Sequence, residues 1–127
     1  MPDLAVLVVA THAMIGAMLA ALTEGTGHHP LFPRPDESAA LAVARLRPDL
    51  LLLDGDDVAA SLDATYHAAA AAGSRILLFS STQGRRDTER MAARHGVAAL
   101  VLPVGSDAFL SALAEASLKS APEPSAL

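Results

Sequence analysis

The sequence predicts an α/β fold in which helices cover both faces of a parallel sheet. Short apolar runs with a bias to β-branched residues alternate with longer stretches whose apolar residues have helical spacing. The runs 4–10 and 50–53 are apolar at consecutive positions, which is typical of strands buried on both faces. Five such strands alternate with five helices, the order expected for crossover connections between parallel strands.

The five strands are bounded by glycine, proline and polar residues. Prolines at 30, 33 and 35 confine the second strand to an edge or to its own ends, because proline cannot donate a backbone hydrogen bond. Asp54 ends the third strand, and Pro103 ends the fifth. The predicted strands cover residues 4–10, 29–33, 50–53, 75–80 and 97–102.

The helices are predicted from capping residues and closing glycines. Asp36 or Ser38 can begin the second helix, in which we expect Leu41, Val43 and Ala44 to face inward. Glycines close the third and fourth helices, and Ser106 can begin the fifth. The predicted helices cover residues 11–22, about 36–47, 61–72, 82–95 and 107–118.

Length, charge and cysteine content exclude several classes of protein. The 127 residues suit one domain, predicted over 1–119, with a Pro/Ser/Ala-rich tail or linker over 120–127 that leads to an output domain outside this chain. The net charge is −5, which argues against direct nucleic-acid binding, and the absence of cysteine excludes disulfides and thiol nucleophiles. No uninterrupted apolar stretch reaches membrane-spanning length, and the start lacks the basic region of a signal peptide, so we expect a cytoplasmic protein.

Polar residues at the carboxyl ends of the predicted strands are the candidates for a site, because ligands of such folds bind at that edge of the sheet. The residues at those ends are Ala10, Thr11 and His12, residues 54–57, residues 80–82, and Leu102 with Pro103.

Three of these strands resemble those of response-regulator receiver domains. The segment Pro48–Asp54 reads P-D-L-L-L-L-D and resembles the family's P-D-L-x-L-L-D strand. The segment 95–103 is similar to its G-A-x-x-Y-L-x-K-P strand, and 7–11 resembles its first strand. The resemblance covers residues 4–118. It implies a flavodoxin-like, doubly wound parallel sheet of five strands in the order 2-1-3-4-5, with five helices.

The resemblance implies a role for each residue of the site. Asp54 stands at the phosphoacceptor position, and Ser80 stands where the family has a switch hydroxyl. The other positions have lost the family's side chains and form what we call the degenerate pocket. Ala10 and Thr11 stand where the family has its magnesium-binding acidic pair, Leu102 where it has lysine, and Ala99 where it has a switch aromatic residue.

These losses predict weak or absent phosphorylation. Phosphoryl transfer depends on a metal ion and a cation that neutralise charge in the transition state. Asp54 with a hydroxyl from Thr11 is a weak magnesium site, and Asp56 can at most supply a substitute carboxylate. We therefore expect no certain cofactor, weak magnesium binding at Asp54 and Asp56, and no enzymatic activity.

The resemblance implies a signalling and protein-interaction module of two-component regulation, with an output in transcription. Arg86, Arg90 and Arg94 fall on one face of the fourth helix, either as a solvated surface or as an interaction face. In receiver domains the fourth helix, fifth strand and fifth helix commonly form such a face. The expected partner is another protein or a second copy of the chain, with no nucleic acid or membrane bound by this domain.

Three alternatives remain open. The first is a conventional phosphoreceiver at Asp54 in which Asp56 or Asp57 helps to bind magnesium. The second is a phosphohistidine carrier at His12, because residues 8–12 are similar to the first strand of mannose-type phosphotransferase A domains. The third is a sensor whose strand-end pocket, lined by Thr11, Ser80 and Leu102, takes an apolar ligand.

Overall fold

A computed structural model of the chain describes residues 3–56, 59–80, 82, 84–102 and 111–116. Its centre is a sheet of five strands in the order β2-β1-β3-β4-β5. All four neighbouring pairs are parallel. This confirms the predicted fold class and strand order. The strands are β1 (Ala5–Val9), β2 (His29–Leu31), β3 (Leu50–Asp54), β4 (Arg75–Ser80) and β5 (Ala98–Val101).

Four of the predicted helices appear between the strands. They are α1 (Ala13–Gly25), α2 (Ala39–Leu46), α3 (Ala59–Ala72) and α4 (Arg85–Arg94). Residues 111–116 are also helical and lie within the predicted fifth helix. The predicted cap Ser106 and the tail 120–127 lie outside the described residues.

The sheet carries one apolar layer on each face, because side chains of successive strand residues point to opposite faces. Leu52 and Phe79 belong to the layer on the side of α1 and residues 111–116. Leu51 and Leu78 belong to the opposite layer, with buried residues of α2, α3 and α4. All four side chains are fully buried. The central strands therefore lie between two helical layers, as the continuous apolar runs predicted.

The buried face of α2 differs from the prediction. Leu41 is 62% exposed and Ala44 is exposed, whereas Val43 is buried as expected. Ser38 is the N-cap and accepts a hydrogen bond from the Leu41 backbone N–H at 3.2 Å, so Asp36 is not the cap. Because Ala42 and Val43 are the buried positions, helical periodicity turns Leu41 to solvent.

Two helices begin later than predicted. The segment after β1 enters α1 at Ala13 rather than at residue 11, and the segment after β4 enters α4 at Arg85 rather than at residue 82. Thr11 and Thr82, at the predicted starts, instead make side-chain hydrogen bonds to carboxylates at the end of the sheet. Within the described residues, no helix is long and apolar enough to cross a membrane.

Candidate functional site

A polar cluster lies at the carboxyl ends of β1, β3 and β4, which are neighbours in the sheet. Asp54 is the last residue of β3 and is 1% exposed. Thr11 follows β1, and Ser80 is the last residue of β4. The strand order therefore brings Thr11 and Ser80 close to Asp54, although they are 43 and 26 positions away from it along the chain. This is the edge of the sheet at which the sequence predicted a site.

Both oxygens of the Asp54 carboxylate accept hydrogen bonds. Thr11 donates to Oδ2 through its backbone N–H at 2.9 Å and through its hydroxyl at 2.7 Å. The backbone N–H of Asp56 donates to Oδ1 at 2.9 Å. A buried carboxylate needs such donors because it has lost its water. Thr11 thus holds Asp54 through two hydrogen bonds from the neighbouring strand.

The side chain of Asp56 is turned towards β4. Its Oδ1 accepts a hydrogen bond from the Ser80 hydroxyl at 2.5 Å and another from the Thr82 hydroxyl at 2.7 Å. The backbone N–H of Thr82 donates to the Ser80 hydroxyl oxygen at 3.2 Å. Asp56 therefore links the turn after β3 to the segment between β4 and α4.

The residues of the degenerate pocket do not all face one space. Ala10 and Leu102 pack against the apolar layer on the α1 side of the sheet. Ala99 packs against the opposite layer, with α4. Thr11 alone among them makes a polar contact with Asp54. Where the family has a second carboxylate and a lysine, this chain extends its apolar core.

The described residues at this site are a poor fit to a magnesium ion. Magnesium takes octahedral oxygen ligands and is usually held by one or two carboxylates together with water. Here N–H and hydroxyl donors already engage both oxygens of Asp54 and Oδ1 of Asp56. No group of three or more carboxylate or imidazole side chains suited to a metal occurs within the described part of the chain. Asp57 lies outside it.

Thr82 belongs to the cluster, as its place among the strand-end candidates predicted, although the resemblance gave a role only to Ser80. The signal was present in the sequence, because hydroxyl side chains two residues apart at a strand end commonly bond to nearby backbone and side-chain groups. The contact of Gly55 with α4 had no sequence signal. A Cβ on Gly55 would lie 2.9 Å from both Sδ and Cε of Met91, so the turn after β3 and α4 are in close contact.

The three arginines of the predicted interaction face are all exposed on α4. Arg90 and Arg94 line a groove of about 370 Å³ together with Asp87 and Met91. The surface is therefore mixed in charge and has a partly buried methionine within it. This placement agrees with the predicted helical stripe and leaves its role as an interface a prediction.

His12 lies apart from the Asp54 cluster. It is exposed, immediately precedes α1, and lines an open groove of about 400 Å³ with Phe32 and Pro33. The groove is also lined by Ala10 after β1 and by Gly16 of α1, whereas Thr11, Ser80 and Leu102 of the predicted ligand pocket are not among its lining residues. The alternative roles of His12 as a phosphocarrier and of the strand-end pocket as a sensor remain predictions.

Solved structures support the fold. The signal receiver domain of a modulated diguanylate cyclase from Desulfovibrio desulfuricans G20 aligns over 91% of this chain and 94% of its own, with a TM-score of 0.68 and 24% identity. The chain has the receiver-domain fold. This chain also aligns with the chemotaxis response regulator CheY4 of Vibrio cholerae, over 91% of its own length and 99% of that of CheY4, with a TM-score of 0.67 and 16% identity.

A longer protein contains the same fold as one part. NtrX from Brucella abortus aligns over 91% of this chain but only 27% of its own length, with a TM-score of 0.70 and 21% identity. No family model matches the sequence, and no curated protein matches it. At these identities the receiver-domain fold is what the likeness establishes, and function is argued from the site.

Proposed function

We propose that the chain is an atypical receiver domain of two-component signalling that acts by binding proteins, with weak or absent phosphorylation of Asp54. The observation that carries the proposal is the hydrogen bonding of Asp54. Its carboxylate is 1% exposed and is held through both oxygens by Thr11 and by the backbone of Asp56. To attack a phosphodonor, the carboxylate would have to become accessible, and these hydrogen bonds hold it in its buried position.

The apolar replacements add a second reason. A receiver-type phosphoryl transfer needs positive charge beside the phosphoryl oxygens, and Ala10 and Leu102 extend the apolar layer at the positions concerned. Loss of one electrostatic group from such a site costs about 2.7–4 kcal/mol of transition-state stabilisation. Loss of several groups therefore lowers the rate by several powers of ten.

The interaction surface that we propose is the outer face of α4. This face carries three of the nine basic residues of a chain whose net charge is −5. Arg86, Arg90 and Arg94 are exposed, and within the described residues no carboxylate forms an ion pair with any of them. A protein partner or a second copy of the chain would pair with these charges. The domain would act in the cytoplasm, and its signalling output would be the control of transcription. Residues 120–127 would link the domain to an output domain.

The decisive experiment is incubation of the purified chain with magnesium and a small phosphodonor, followed by intact-mass measurement. We expect no stoichiometric gain of phosphate. A gain that disappears in Asp54→Ala would overturn the proposal and establish a conventional phosphoreceiver. A gain that disappears in His12→Ala would instead establish a phosphohistidine carrier.

A restored variant serves as the positive control. In Ala10→Asp/Thr11→Asp/Leu102→Lys, the family's acidic pair and lysine return around Asp54, and we expect phosphate incorporation at Asp54. Circular dichroism establishes that the variant is folded. A folded variant that gains no phosphate would contradict the explanation that these three losses suppress phosphorylation.

The α4 surface is tested by charge reversal. Light scattering of the chain and of Arg90→Glu/Arg94→Glu measures self-association over a range of salt concentrations. If the partner is a second copy, the reversed variant is monomeric where the unmodified chain is dimeric, and salt weakens the dimer. Arg47→Glu, a charge reversal at an exposed arginine at the end of α2, is the matched control.

A further inference from the structure

The side chain of Asp56 occupies a central position between two segments that are far apart in sequence. A single carboxylate oxygen accepts hydrogen bonds from the hydroxyls of Ser80 and Thr82, at 2.5 Å and 2.7 Å. Hydroxyl bonds to carboxylates are shorter and stronger than bonds between neutral groups. We propose that Asp56 is a built-in latch, which sets the position of the β4–α4 segment, and with it α4, without a bound ion or a covalent modification.

The latch is anchored to the sheet through Asp54. The backbone N–H of Asp56 donates to Asp54 Oδ1 at 2.9 Å, and Thr11 holds Asp54 Oδ2 from the neighbouring strand. The backbone N–H of Gly55, between the two acids, donates to the Phe79 carbonyl of β4 at 2.7 Å. The carboxylate of Asp56 is therefore presented from a turn that is fixed on both sides.

The other end of the latch leads directly into α4. Thr82 precedes the first residue of α4 by three positions, and the first turn of the helix is closed by the Thr88 N–H bond to the Gly84 carbonyl at 3.0 Å. Further along α4, Met91 packs against Gly55, where no room exists for a Cβ. The turn after β3 thus contacts both Thr82, just before α4, and Met91 within α4, so a shift of this turn would move the helix.

The charge of Asp56 also makes the site unfavourable for an external anion. An anion that replaced the Asp56 carboxylate at Ser80 and Thr82 would lie beside Asp54 and Asp56 together, and like charges at such short range repel. The hydroxyls of the β4–α4 segment are therefore oriented by an acceptor that the chain itself supplies. This inference concerns the position of α4 and holds whether or not α4 is a docking surface.

Amide hydrogen exchange tests the latch, because it reports the opening of individual elements. In Asp56→Ala and Asp56→Asn we expect protection of the α4 amides to fall by about tenfold or more, as loss of bonds to a charged acceptor implies. Amides of β1 and α1 should change by less than about twofold, since their own hydrogen bonds are intact. Asp63→Asn, which changes an exposed acid of α3, is the matched control and should leave α4 unchanged.

A double-variant cycle separates a latch from a general loss of stability. If Asp56 acts through the hydroxyl of Thr82, Asp56→Ala/Thr82→Val should lower α4 protection no further than Asp56→Ala alone. Unchanged α4 protection in the Asp56 variants would overturn the proposal. So would an equal loss across all elements, or losses that multiply in the double variant. None of these readouts uses a phosphodonor or a partner, so failure of the latch is distinguishable from failure of the proposed function.

Discussion

Asp54 is a buried carboxylate that hydrogen-bond donors of the chain itself hold in place. Its described donors are two groups of Thr11 and the backbone N–H of Asp56. A carboxylate at position 11 would repel Asp54 unless a cation lay between them, whereas a threonine hydroxyl donates to it. With threonine at position 11, hydrogen bonds to Asp54 therefore hold this corner of the sheet together without a metal ion.

Thr11→Val should destabilise the chain by about 1–3 kcal/mol, because it removes the hydroxyl donor of a buried carboxylate and keeps the side-chain shape. Urea unfolding measures the change in the free energy of unfolding. Thr11→Ser retains the hydroxyl and should stay close to the unmodified chain. Equal stability of the valine and serine variants would show that the hydroxyl bond to Asp54 contributes nothing.

Gly55→Ala should cost about 1–3 kcal/mol, because the added methyl group would lie 2.9 Å from the Met91 side chain and 3.2 Å from the Phe79 carbonyl oxygen. Met91 can move, but the carbonyl belongs to the hydrogen-bonded sheet. Thermal unfolding gives the measurement. Gly25→Ala, at the end of α1 with open space around it, is the control and should be neutral or stabilising. A neutral Gly55→Ala would argue that this close contact relaxes freely.

At the scale of elements, α2 is stabilised by polar contacts at its ends rather than by a wide apolar face. Ser38 caps the helix, and Arg45 in its last turn forms two hydrogen bonds of 2.6 Å with Glu37, which lies just before the helix. The Arg45 guanidinium, together with the backbone N–H of Arg34, lowers the pKa of Glu37 to about 2. The helix therefore tolerates an exposed Leu41 because its ends are fixed by polar contacts.

The lowered pKa of Glu37 predicts an acid-sensitive contribution to stability. A group whose folded pKa lies below its unfolded value stabilises the fold above the unfolded pKa and loses that effect as the pH falls through the folded pKa. The melting-temperature difference between the unmodified chain and Glu37→Gln should thus be constant near neutrality and shrink between pH 4.5 and about 2. Glu24→Gln, an exposed acid of α1, should show no such change, and a constant Glu37 difference would contradict the prediction.

Tyr66 of α3 illustrates a contact between neighbouring helices. Its ring stacks on His95, which follows α4, with centroids 4.6 Å apart. Burial, and to a lesser degree the negative charge of Asp63, raise the pKa of Tyr66 to about 12. The phenol thus stays neutral at physiological pH. The Tyr66 ring packs α3 against the end of α4.

At the scale of the whole molecule, two apolar layers on one sheet account for most of the burial. Leu51→Ala, which opens a cavity among buried residues of the α2–α4 layer, should destabilise the chain by about 2–5 kcal/mol. Leu41→Ala, the same exchange at a residue 62% exposed, should change stability by less than about 0.5 kcal/mol. Urea unfolding compares the two. Similar losses would mean that Leu41 is covered in solution.

The sheet could be predicted well because its signals are local and continuous. The limits of β4 match the prediction at both ends. Those of β1 and β5 differ by one residue at each end, β3 extends one residue further, and β2 ends two residues earlier. The inward face of α2 was wrong at Leu41 and Ala44, because packing against the sheet and the neighbouring helices selects which side is buried, and the buried residues are Ala42 and Val43. The predicted helix starts at Thr11 and Thr82 were wrong because these hydroxyls donate to carboxylates at the end of β3 and in the turn after it.

The sequence by itself determined the alternation of strands and helices, the acid at the end of β3 and the absence of the acidic pair and lysine around it. The first two follow from residue types and short-range periodicity, which require no knowledge of distant neighbours, whereas the third is what the resemblance to receiver domains implies. Only the tertiary structure decided what the remaining polar groups do. Whether Asp56 faces an ion, solvent or the Ser80 and Thr82 hydroxyls depends on the packing of β3 against β4, which brings together side chains 24 and 26 residues apart.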